Sequence, residues 1–373
     1  MATTIGETLD QLTVTGELYK KLDDSTIECY ACGHRCKIRE GKRGICQVRL
    51  NEGGELKVPW GYVAALQSDP IEKKPFFHVN PGSNALTFGM LGCDFHCGYC
   101  QNWLTSQAMR DPGSDESIHY IRRTNPQEMV RLAQRTHAST VVSSYNEPLI
   151  TSEWAVAIFK EAKAAGLMCA YVSNGNNTPE VMEYIRPYIS AYKIDLKCMQ
   201  DRNYRKLGGV LQNTLDGIKR AHEMGLWVEI VTLTIPGFND SNEELWDAAR
   251  FIAGVSRDIP WHVTAFHKDY KMLDHDNTDV KTLFRAAEIG KEAGLRYVYA
   301  GNLPGRVAEY EDTFCPKCNH RLIERSGYTI HAYRITGEGT CPKCNTKIPG
   351  LWPRDPSAVE LNGYGMPLPV RFR

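Results

Sequence analysis

Residues 90–103 of this 373-residue chain are Met90-Leu91-Gly92-Cys93-Asp94-Phe95-His96-Cys97-Gly98-Tyr99-Cys100-Gln101-Asn102-Trp103. Three residues separate Cys93 from Cys97, and two separate Cys97 from Cys100. A cubane iron–sulfur cluster takes one thiolate at each of its four irons, so three cysteines leave one iron open. Zinc sites usually use two Cys-x-x-Cys pairs. The spacing therefore favours a cluster with an open iron over a zinc site or three buried thiols without a metal.

This stretch resembles the signature of the radical S-adenosylmethionine (SAM) superfamily, which has an aromatic residue, here Tyr99, just before the last cysteine. The resemblance implies that Cys93, Cys97 and Cys100 hold a [4Fe-4S] cluster whose open iron binds the amine and carboxylate of SAM. It also implies that the reduced cluster cleaves SAM to methionine and a 5′-deoxyadenosyl radical that abstracts hydrogen.

Composition limits the classes of partner and the compartment. Lys+Arg and Asp+Glu both number 44, so no basic excess points to nucleic acid. No apolar run approaches the ~20 residues of a membrane span, and residues 1–7 lack the pattern of a secretion signal. Eleven of the 13 cysteines fall into three ligand-spaced groups, which favours metals in a reducing compartment. We therefore predict a cytoplasmic protein that binds neither nucleic acid nor membranes.

Two cysteines, Cys169 and Cys198, lie outside the three groups. Both are predicted to be core thiols, because free cysteine behaves as a small hydrophobic residue. For Cys198, which follows Lys197, a role in the site is the alternative.

Residues 1–84 are predicted to form an N-terminal cysteine-rich module. Its four cysteines, here called the N-terminal tetrad, are Cys29, Cys32, Cys36 and Cys46. Four thiolates on short glycine-containing loops can complete a tetrahedral zinc site or a fully ligated iron–sulfur cluster. The spacing predicts a second metal or cluster without separating these two. His34 is expected to face solvent, and the alternative is that it replaces one of the cysteines as a ligand.

Residues 85–304 alternate short β-rich runs with helical patterns, which indicates βαβ units and a parallel sheet. The predicted strands are 85–89, 140–145, 168–173, 191–197, 227–235, 262–266 and 297–300. The helices predicted between the first four strands are 126–137, 153–165 and 179–188. Six or seven repeats make a partial barrel, so the predicted fold class is α/β, a (β/α)6-type partial barrel with small cysteine-rich modules at both ends.

The strand 191–197 carries charges on one face. Lys193, Asp195 and Lys197 alternate with apolar residues, so they share a face that we expect to point into the barrel. Buried charges must be paired or must meet a ligand. Either a zwitterionic ligand satisfies both signs, or the residues form an ion pair among themselves.

Within the superfamily, the barrel resembles the branch of pyruvate formate-lyase activating enzymes. Tyr145-Asn146-Glu147-Pro148 takes the place of that branch's Gly-Gly-Glu-Pro, which binds the amine of SAM, although the glycine pair is missing. Ser173-Asn174-Gly175 matches its Thr-Asn-Gly, and Asp195 with Lys197 matches its Asp-x-Lys. His267 matches its late active-site histidine. The resemblance thus implies that Tyr99, Glu147, Ser173, Asn174, Asp195, Lys197 and His267 bind the cofactor.

Residues 305–373 are predicted to form a zinc-ribbon or rubredoxin-like module. Its two Cys-Pro-Lys-Cys knuckles supply the C-terminal tetrad, which consists of Cys315, Cys318, Cys341 and Cys344. This spacing is typical of a tetrahedral site with four cysteines. Structural zinc is the predicted occupant, and iron acting as an electron relay is the alternative.

The order of motifs along the whole chain is similar to that of the radical SAM member of the AmmeMemoRadiSam system. The resemblance rests on residues 44–49, 100–103, 145–148 and 301–305 together with the terminal knuckles. It implies AMMECR1-like or Memo-like proteins as partners and a reductant such as flavodoxin or ferredoxin.

Three functions follow as hypotheses. The leading one is an enzyme that reductively cleaves SAM and uses the radical on an unidentified substrate. The second is an activase that installs a glycyl radical on a partner protein. The third is a non-catalytic iron–sulfur or zinc interaction protein, which has no use for polar residues at the ends of the strands.

Overall fold

The computed structural model describes residues 4–372, and residues 1–3 and 373 of the two predicted terminal modules lie outside the described residues. Before the barrel, the chain forms short elements in three small groups. Strands β1, β6 and β5 form one sheet, β2, β3 and β4 form another, and β8 pairs antiparallel with the first barrel strand. The elements are α1 (Ile5–Asp10), β1 (Thr13–Thr15), β2 (Tyr19–Lys21), β3 (Thr26–Cys29), β4 (Lys37–Arg39), β5 (Leu50–Glu52), β6 (Glu55–Pro59), β7 (Tyr62–Val63), β8 (Ala65–Pro70) and a 3-10 turn (Ile71–Lys73).

The barrel contains seven parallel strands in the order in which they occur along the chain. Helices follow most of these strands and cover the outside of the sheet. The elements are β9 (Asn84–Gly89), α2 (Trp103–Ser106), a 3-10 helix (Pro112–Tyr120), β10 (Arg122–Arg123), α3 (Pro126–Arg135), β11 (Ala138–Ser143), a 3-10 turn (Pro148–Thr151), α4 (Ser152–Ala164), β12 (Met168–Ser173), α5 (Pro179–Ile185), β13 (Ala191–Asp195), α6 (Asp201–Lys206), α7 (Leu211–Glu223), β14 (Trp227–Thr234), α8 (Asn242–Val255), β15 (Trp261–Ala265), α9 (Val280–Glu292) and β16 (Val298–Gly301).

The predicted α/β fold class, a partial barrel, is confirmed, and each predicted strand begins and ends within two residues of the observed one. The alternation along β13 explains the orientation of its side chains. Tyr192 and Ile194 are fully buried among apolar residues, whereas Lys193 and Asp195 contact each other on the opposite face. This places their charges at the C-terminal ends of the strands, where barrels carry their chemistry.

The opposite end of the barrel is closed by a buried carboxylate on β14. Glu229 accepts hydrogen bonds from the backbone N–H groups of Phe77 (3.0 Å) and His78 (2.9 Å). His262 Nε2 lies 2.7 Å from the same carboxylate. The segment that follows β8 therefore plugs the N-terminal ends of the strands and leaves the C-terminal ends for the site.

The chain after β16 forms a 3-10 turn, a three-stranded antiparallel sheet and a tail that returns to the barrel. Its elements are the turn Ala308–Glu311, β17 (Thr313–Phe314), β18 (Arg321–Ser326), β19 (Thr329–Tyr333), a second turn (Pro356–Ala358) and β20 (Leu368–Pro369). Strand β20 pairs with β8, at the edge of the barrel sheet. The division into domains 1–84, 85–304 and 305–373 stays a prediction. Between residues 4 and 372, no helix combines the length and the apolar character that crossing a membrane requires.

Candidate active site at the cysteine loop

The cysteine loop, residues 90–102, leaves the barrel directly after β9. Gly89 is required at the turn, because a Cβ there would lie 2.5 Å from the backbone oxygen of Ser144. Cys97 and Tyr99 are buried in an apolar cluster with residues from α6 and the ends of β14 and β15, and Cys93 and Cys100 pack against it. The three sulfur atoms therefore lie in an apolar pocket at the C-terminal end of the barrel.

The sulfurs of the loop have nearby donors of the kind that tune iron–sulfur clusters. The Phe95 backbone N–H donates to Cys93 Sγ (3.4 Å), and Ser106 Oγ lies 3.2 Å from Cys100 Sγ. Hydrogen bonds to sulfur are among the features that set a cluster's potential. Burial raises the pKa of the Cys97 thiol to about 12, so a cation is needed to hold it as a thiolate. Three thiols with sulfur-directed donors fit a cluster with three protein ligands.

A fully buried carboxylate, Asp94, lies beside the first cysteine. Asn174 Nδ2 donates to Asp94 Oδ1 (2.8 Å), and Asn176 Nδ2 donates to Asp94 Oδ2 (2.8 Å). Cys93 Sγ is 3.8 Å from the same carboxylate. Asn174 therefore supports the cysteine loop through Asp94.

A second buried carboxylate, Glu147, follows the end of β11. It accepts hydrogen bonds from Ser173 Oγ (2.7 Å), from the backbone N–H of Asn174 (2.7 Å) and from that of Leu149 (3.1 Å). Burial and the charge of Asp94 raise the pKa of Glu147 to about 8. Asp94 and Glu147, here called the acidic pair, therefore share about one negative charge near pH 7 on this side of the loop, and a cation bound beside them would favour ionisation of both.

The lysine triad lies on the other side of the cysteine loop and consists of Lys193, Asp195 and Lys197. Asp195 contacts the ammonium groups of both lysines, and Lys197 Nζ is 3.4 Å from its carboxylate. Burial opposes ionisation of Asp195, but the two lysines outweigh it and hold its pKa below the usual value. Lys197 also lies 6.0 Å from the centre of the Tyr99 ring. Two cations and one anion leave the triad with a net positive charge.

The cysteine loop lies between these two charged groups. Burial and then Asp94 and Glu147 raise the pKa of Cys93 well above its ordinary value. Burial also raises the pKa of Cys97, and Lys197 opposes that rise. Cys93 Sγ lies 3.8 Å from the Asp94 carboxylate, and Lys197 Nζ lies 6.0 Å from the centre of the Tyr99 ring, so the loop approaches the acidic pair through Cys93 and the lysine triad through Tyr99.

His267 lies farther out, at the exposed rim. His267 Nε2 is 2.7 Å from Gln101 Nε2 at the end of the cysteine loop. The segment after β15 also covers the loop, since the backbone N–H of Lys271 donates to the Gly98 carbonyl (2.8 Å) and Tyr270 stacks on Trp103. The structure thus joins His267 to the cysteine loop and not to either charged group.

Residues of the site that the sequence alone did not identify are Asp94, Asn176 and Lys193. No role for Asp94 or Asn176 follows from the sequence, which places Lys193 only on the charged face of its strand. The run Asn174-Gly175-Asn176-Asn177 after β12 is a signal that could have been used, because several amides at one strand end indicate a polar binding group. Cys169 and Cys198 are both buried, and the Cys198 thiol donates to the Gln200 carbonyl.

The C-terminal tetrad is brought together. Its four sulfurs all lie within 4.8 Å of one another, with 3.5 Å between Cys315 and Cys344 and 3.6 Å between Cys318 and Cys341. Zinc–sulfur bonds are about 2.3 Å, so a tetrahedral site places its sulfurs about 3.8 Å apart. This group therefore has the dimensions of a site for one metal ion.

The N-terminal tetrad lies next to the cysteine loop, with three of its cysteines buried and Cys36 half-buried. Burial and then the negative groups Asp94, Cys29, Cys36 and Cys46 raise the pKa of Cys32 well above its ordinary value. The expectation that the neighbouring histidine, at position 34, faces solvent is wrong. Only 17% of its side chain is exposed, and its Nε2 lies 4.0 Å from Asp94 Oδ2 because the cysteine loop packs over it.

Sequence comparisons agree with this site. A family model described as the Radical SAM superfamily matches residues 88–252. An uncharacterized protein of Methanocaldococcus jannaschii is 35% identical over 333 residues, which are 88% of this chain and 97% of the relative. A pyruvate formate-lyase-activating enzyme of Staphylococcus aureus is 24% identical over 246 residues, 60% of this chain and 92% of the relative. An isethionate sulfite-lyase activating enzyme of Oleidesulfovibrio alaskensis is 26% identical over 185 residues, 48% of this chain and 59% of the relative.

Among solved structures, SuiB of Streptococcus suis bound to S-adenosylmethionine has 15% identity and a TM-score of 0.46, over 66% of this chain and 56% of that one. The cysteine motif, the parallel barrel and the family match agree with one another, and the family's cofactors are a [4Fe-4S] cluster and SAM. The chain belongs to the radical SAM superfamily and is a radical SAM enzyme.

Proposed function

We propose that this enzyme binds SAM between the acidic pair and the lysine triad and cleaves it reductively at a [4Fe-4S] cluster held by Cys93, Cys97 and Cys100. The observation that carries the proposal is the opposite charge on the two sides of the cysteine loop. SAM carries an ammonium and a sulfonium, which suit buried carboxylates, and a carboxylate, which suits a lysine. When bound, the cluster and SAM supply a 5′-deoxyadenosyl radical that abstracts hydrogen from a substrate.

Different residues of the site contact different parts of SAM. Glu147, positioned by Ser173 and the Asn174 backbone, orders the turn that receives the positive end of SAM. Lys197 attracts the negative end, while Tyr99 and the apolar cluster around it exclude water. We assign His267 to the rim, where it and Gln101 contact the substrate or the adenosine side of the cofactor.

The function is tested by incubating anaerobically purified protein with SAM and dithionite and measuring 5′-deoxyadenosine and methionine. Equal amounts of both products are expected, and neither is expected when dithionite is omitted. A protein with a full cluster that yields no 5′-deoxyadenosine above the level of the buffer would contradict the proposal and favour the non-catalytic alternative.

Lys197→Met should weaken SAM binding without unfolding the protein. Asp195 stays paired with Lys193 in this variant, so no buried charge is left alone, but the net positive charge of the triad is lost. A hydrogen bond to a charged group contributes about 1.5–3 kcal/mol, so affinity should fall by about tenfold or more. Calorimetric titration with SAM and thermal melting without SAM measure the two quantities.

Lys219→Met is the matched control for Lys197→Met, because Lys219 is an exposed lysine on α7. It should change neither the affinity for SAM nor the melting temperature. If Lys197→Met lowers the melting temperature strongly and leaves the affinity unchanged, the triad is part of the scaffold.

A second candidate function is activation of a glycyl-radical enzyme. The observation that favours it is that two of the relatives are named as activating enzymes. We infer a protein substrate in that case, with AMMECR1-like or Memo-like proteins as candidate partners. An organic radical on the partner, detected by electron paramagnetic resonance after SAM cleavage, would support this function, and its absence would leave a small-molecule substrate.

Radical SAM enzymes generally need a reductant. We infer flavodoxin or ferredoxin as this donor and the cytoplasm as the compartment. All 13 cysteines lie within residues 4–372 and are free thiols, which suits a reducing environment.

We infer that the C-terminal tetrad binds structural zinc. A small module gains folding energy directly from its metal, so Cys315→Ser should remove one equivalent of metal and make the chain beyond residue 305 sensitive to protease. Cys169→Ser is the control, since Cys169 is a buried thiol within β12 and outside the tetrads. A Cys315→Ser variant that resists protease but loses reduction of the catalytic cluster would point to iron and an electron relay.

A further inference from the structure

The N-terminal tetrad surrounds the β3–β4 hairpin: Cys29 ends β3, Cys32 and Cys36 lie in the connecting loop, and Cys46 follows β4. The backbone N–H of Cys29 donates to the Cys36 carbonyl (2.9 Å), and the backbone N–H of Ile45 donates to Cys36 Sγ (3.4 Å). Cys29, Cys32 and Cys46 are buried, and Cys36 is half-buried. A donor aimed at a sulfur and burial of the other thiols are features of a metal-binding loop.

The spacing of the four sulfurs favours an iron–sulfur cluster over a single zinc ion, the two occupants that the sequence left open. Within residues 4–372, the C-terminal tetrad is the one group of three or more Cys, His, Asp or Glu ligand atoms that lie within 4.8 Å of one another. The N-terminal tetrad is more open than this. One zinc ion draws its thiolates to about 3.8 Å from one another, whereas a cubane places each thiolate on a different iron. Like the N-terminal tetrad, the catalytic triplet does not bring three of its sulfurs within 4.8 Å of one another.

The loop that carries Cys32 and Cys36 is linked to the catalytic loop through Asn176. The backbone N–H of Gly33 donates to the Asn176 carbonyl (2.8 Å), and Asn176 Nδ2 donates to Asp94 (2.8 Å), the residue after Cys93. A Cβ at Gly33 would lie 2.3 Å from Asn176 Oδ1, so the approach requires glycine. Near the start of the cysteine loop, a Cβ at Gly92 would lie 3.1 Å from the Cys46 carbonyl.

A buried cation lies near the tetrad. Arg49 is 1% exposed and pairs with Glu153, yet its Nε has no hydrogen-bond partner within the described residues. The Arg49 carbonyl accepts a hydrogen bond from the backbone N–H of Gly44 (2.8 Å), two residues before Cys46. A cluster with four thiolates carries net negative charge, so this arginine offers both a charge and a free N–H to it.

We propose that Cys29, Cys32, Cys36 and Cys46 bind a second four-iron cluster, which passes single electrons to the cluster in the catalytic loop. Because all four irons have protein ligands, this cluster does not bind SAM. A reduced flavodoxin or ferredoxin loses one electron to it, and it then loses that electron to the catalytic cluster, with no bond made or broken. The electron-transfer role rests on the proposed function, whereas the presence of the second cluster does not.

The first test uses the triple variant Cys93→Ala/Cys97→Ala/Cys100→Ala, which leaves the tetrad intact. After anaerobic reconstitution, it should retain about four irons and about four sulfides per chain, or about half of the wild-type content. Its reduced form should give an electron paramagnetic resonance signal that SAM does not change. Zinc in place of iron at the tetrad, or a triple variant without sulfide, would overturn the proposal.

The second test uses Cys32→Ser, with Cys169→Ser as control. Cys32→Ser should lose about four irons and slow flavodoxin-driven cleavage of SAM by about tenfold or more, whereas dithionite-driven cleavage persists because a small reductant reaches the catalytic cluster directly. Unchanged flavodoxin-driven cleavage in a folded Cys32→Ser protein would refute the relay. If that variant does not fold, the iron count of the triple variant decides whether the cluster exists. Failure of dithionite-driven cleavage in the wild type would count against the proposed function instead.

Discussion

Replacing Cys93, Cys97 and Cys100 together with alanine is expected to abolish cleavage of SAM. The three thiols lie in one apolar pocket between the acidic pair and the lysine triad. Without them the loop has no thiolates to hold a cluster beside the proposed SAM site. The rate of 5′-deoxyadenosine formation should fall by at least about 10³-fold, since enzymes accelerate reactions by about 10⁶-fold or more.

The matched control for this variant is Cys169→Ala, which removes a buried thiol near the start of β12, whereas the cysteine loop follows the end of β9. It should keep full cleavage activity, and zinc should remain at the C-terminal tetrad in both proteins. Cleavage retained by the triple variant would show that another part of the chain holds the catalytic cluster.

The second large effect is expected at a buried ion pair that joins the N-terminal region to α4. Arg49 donates to Glu153 through both terminal nitrogens, at 2.8 and 2.7 Å, and the two side chains are only 1% and 3% exposed. Arg49→Met leaves the carboxylate of Glu153 buried without its cation. Breaking a buried pair in this way costs about 3–5 kcal/mol, so the urea midpoint should fall markedly.

Two further variants separate charge from packing. Arg49→Met with Glu153→Gln removes both charges and should recover part of the lost stability, because no uncompensated carboxylate is left. Arg131→Met breaks an exposed pair with Glu128 and should change stability by less than about 1 kcal/mol. If Arg49→Met is as mild as Arg131→Met, the N-terminal region is held to the barrel by other contacts.

The barrel could be predicted from the sequence because its strands are short apolar runs that alternate with helices of regular period. The bounds of strand β8 could not, since Gln67, Ser68 and Asp69 do not have the pattern of a buried strand. Those polar residues are accommodated by tertiary contacts, in which Asp69 pairs with Lys74 and accepts a hydrogen bond from Tyr145 (2.7 Å). Pairing of this kind depends on residues distant in the chain.

The site was predictable at its cysteines and less so around them. Spacing alone indicates thiolate ligands, but the role of Asp94 depends on amides that arrive from the end of β12, about 80 residues later. The spacing of the N-terminal tetrad along the chain also does not distinguish a zinc ion from an iron–sulfur cluster. The distances between sulfurs that distinguish them are set by the hairpin and by the packing of the cysteine loop.

The most direct measurement is the electron paramagnetic resonance spectrum of the reduced, reconstituted wild-type protein before and after addition of SAM. If SAM binds the open iron of the cluster at Cys93, Cys97 and Cys100, its addition changes the signal of that cluster, and Lys197→Met requires more SAM for the same change. A spectrum that SAM leaves unchanged at saturating concentration, in protein with a full complement of iron, would contradict SAM binding at this loop.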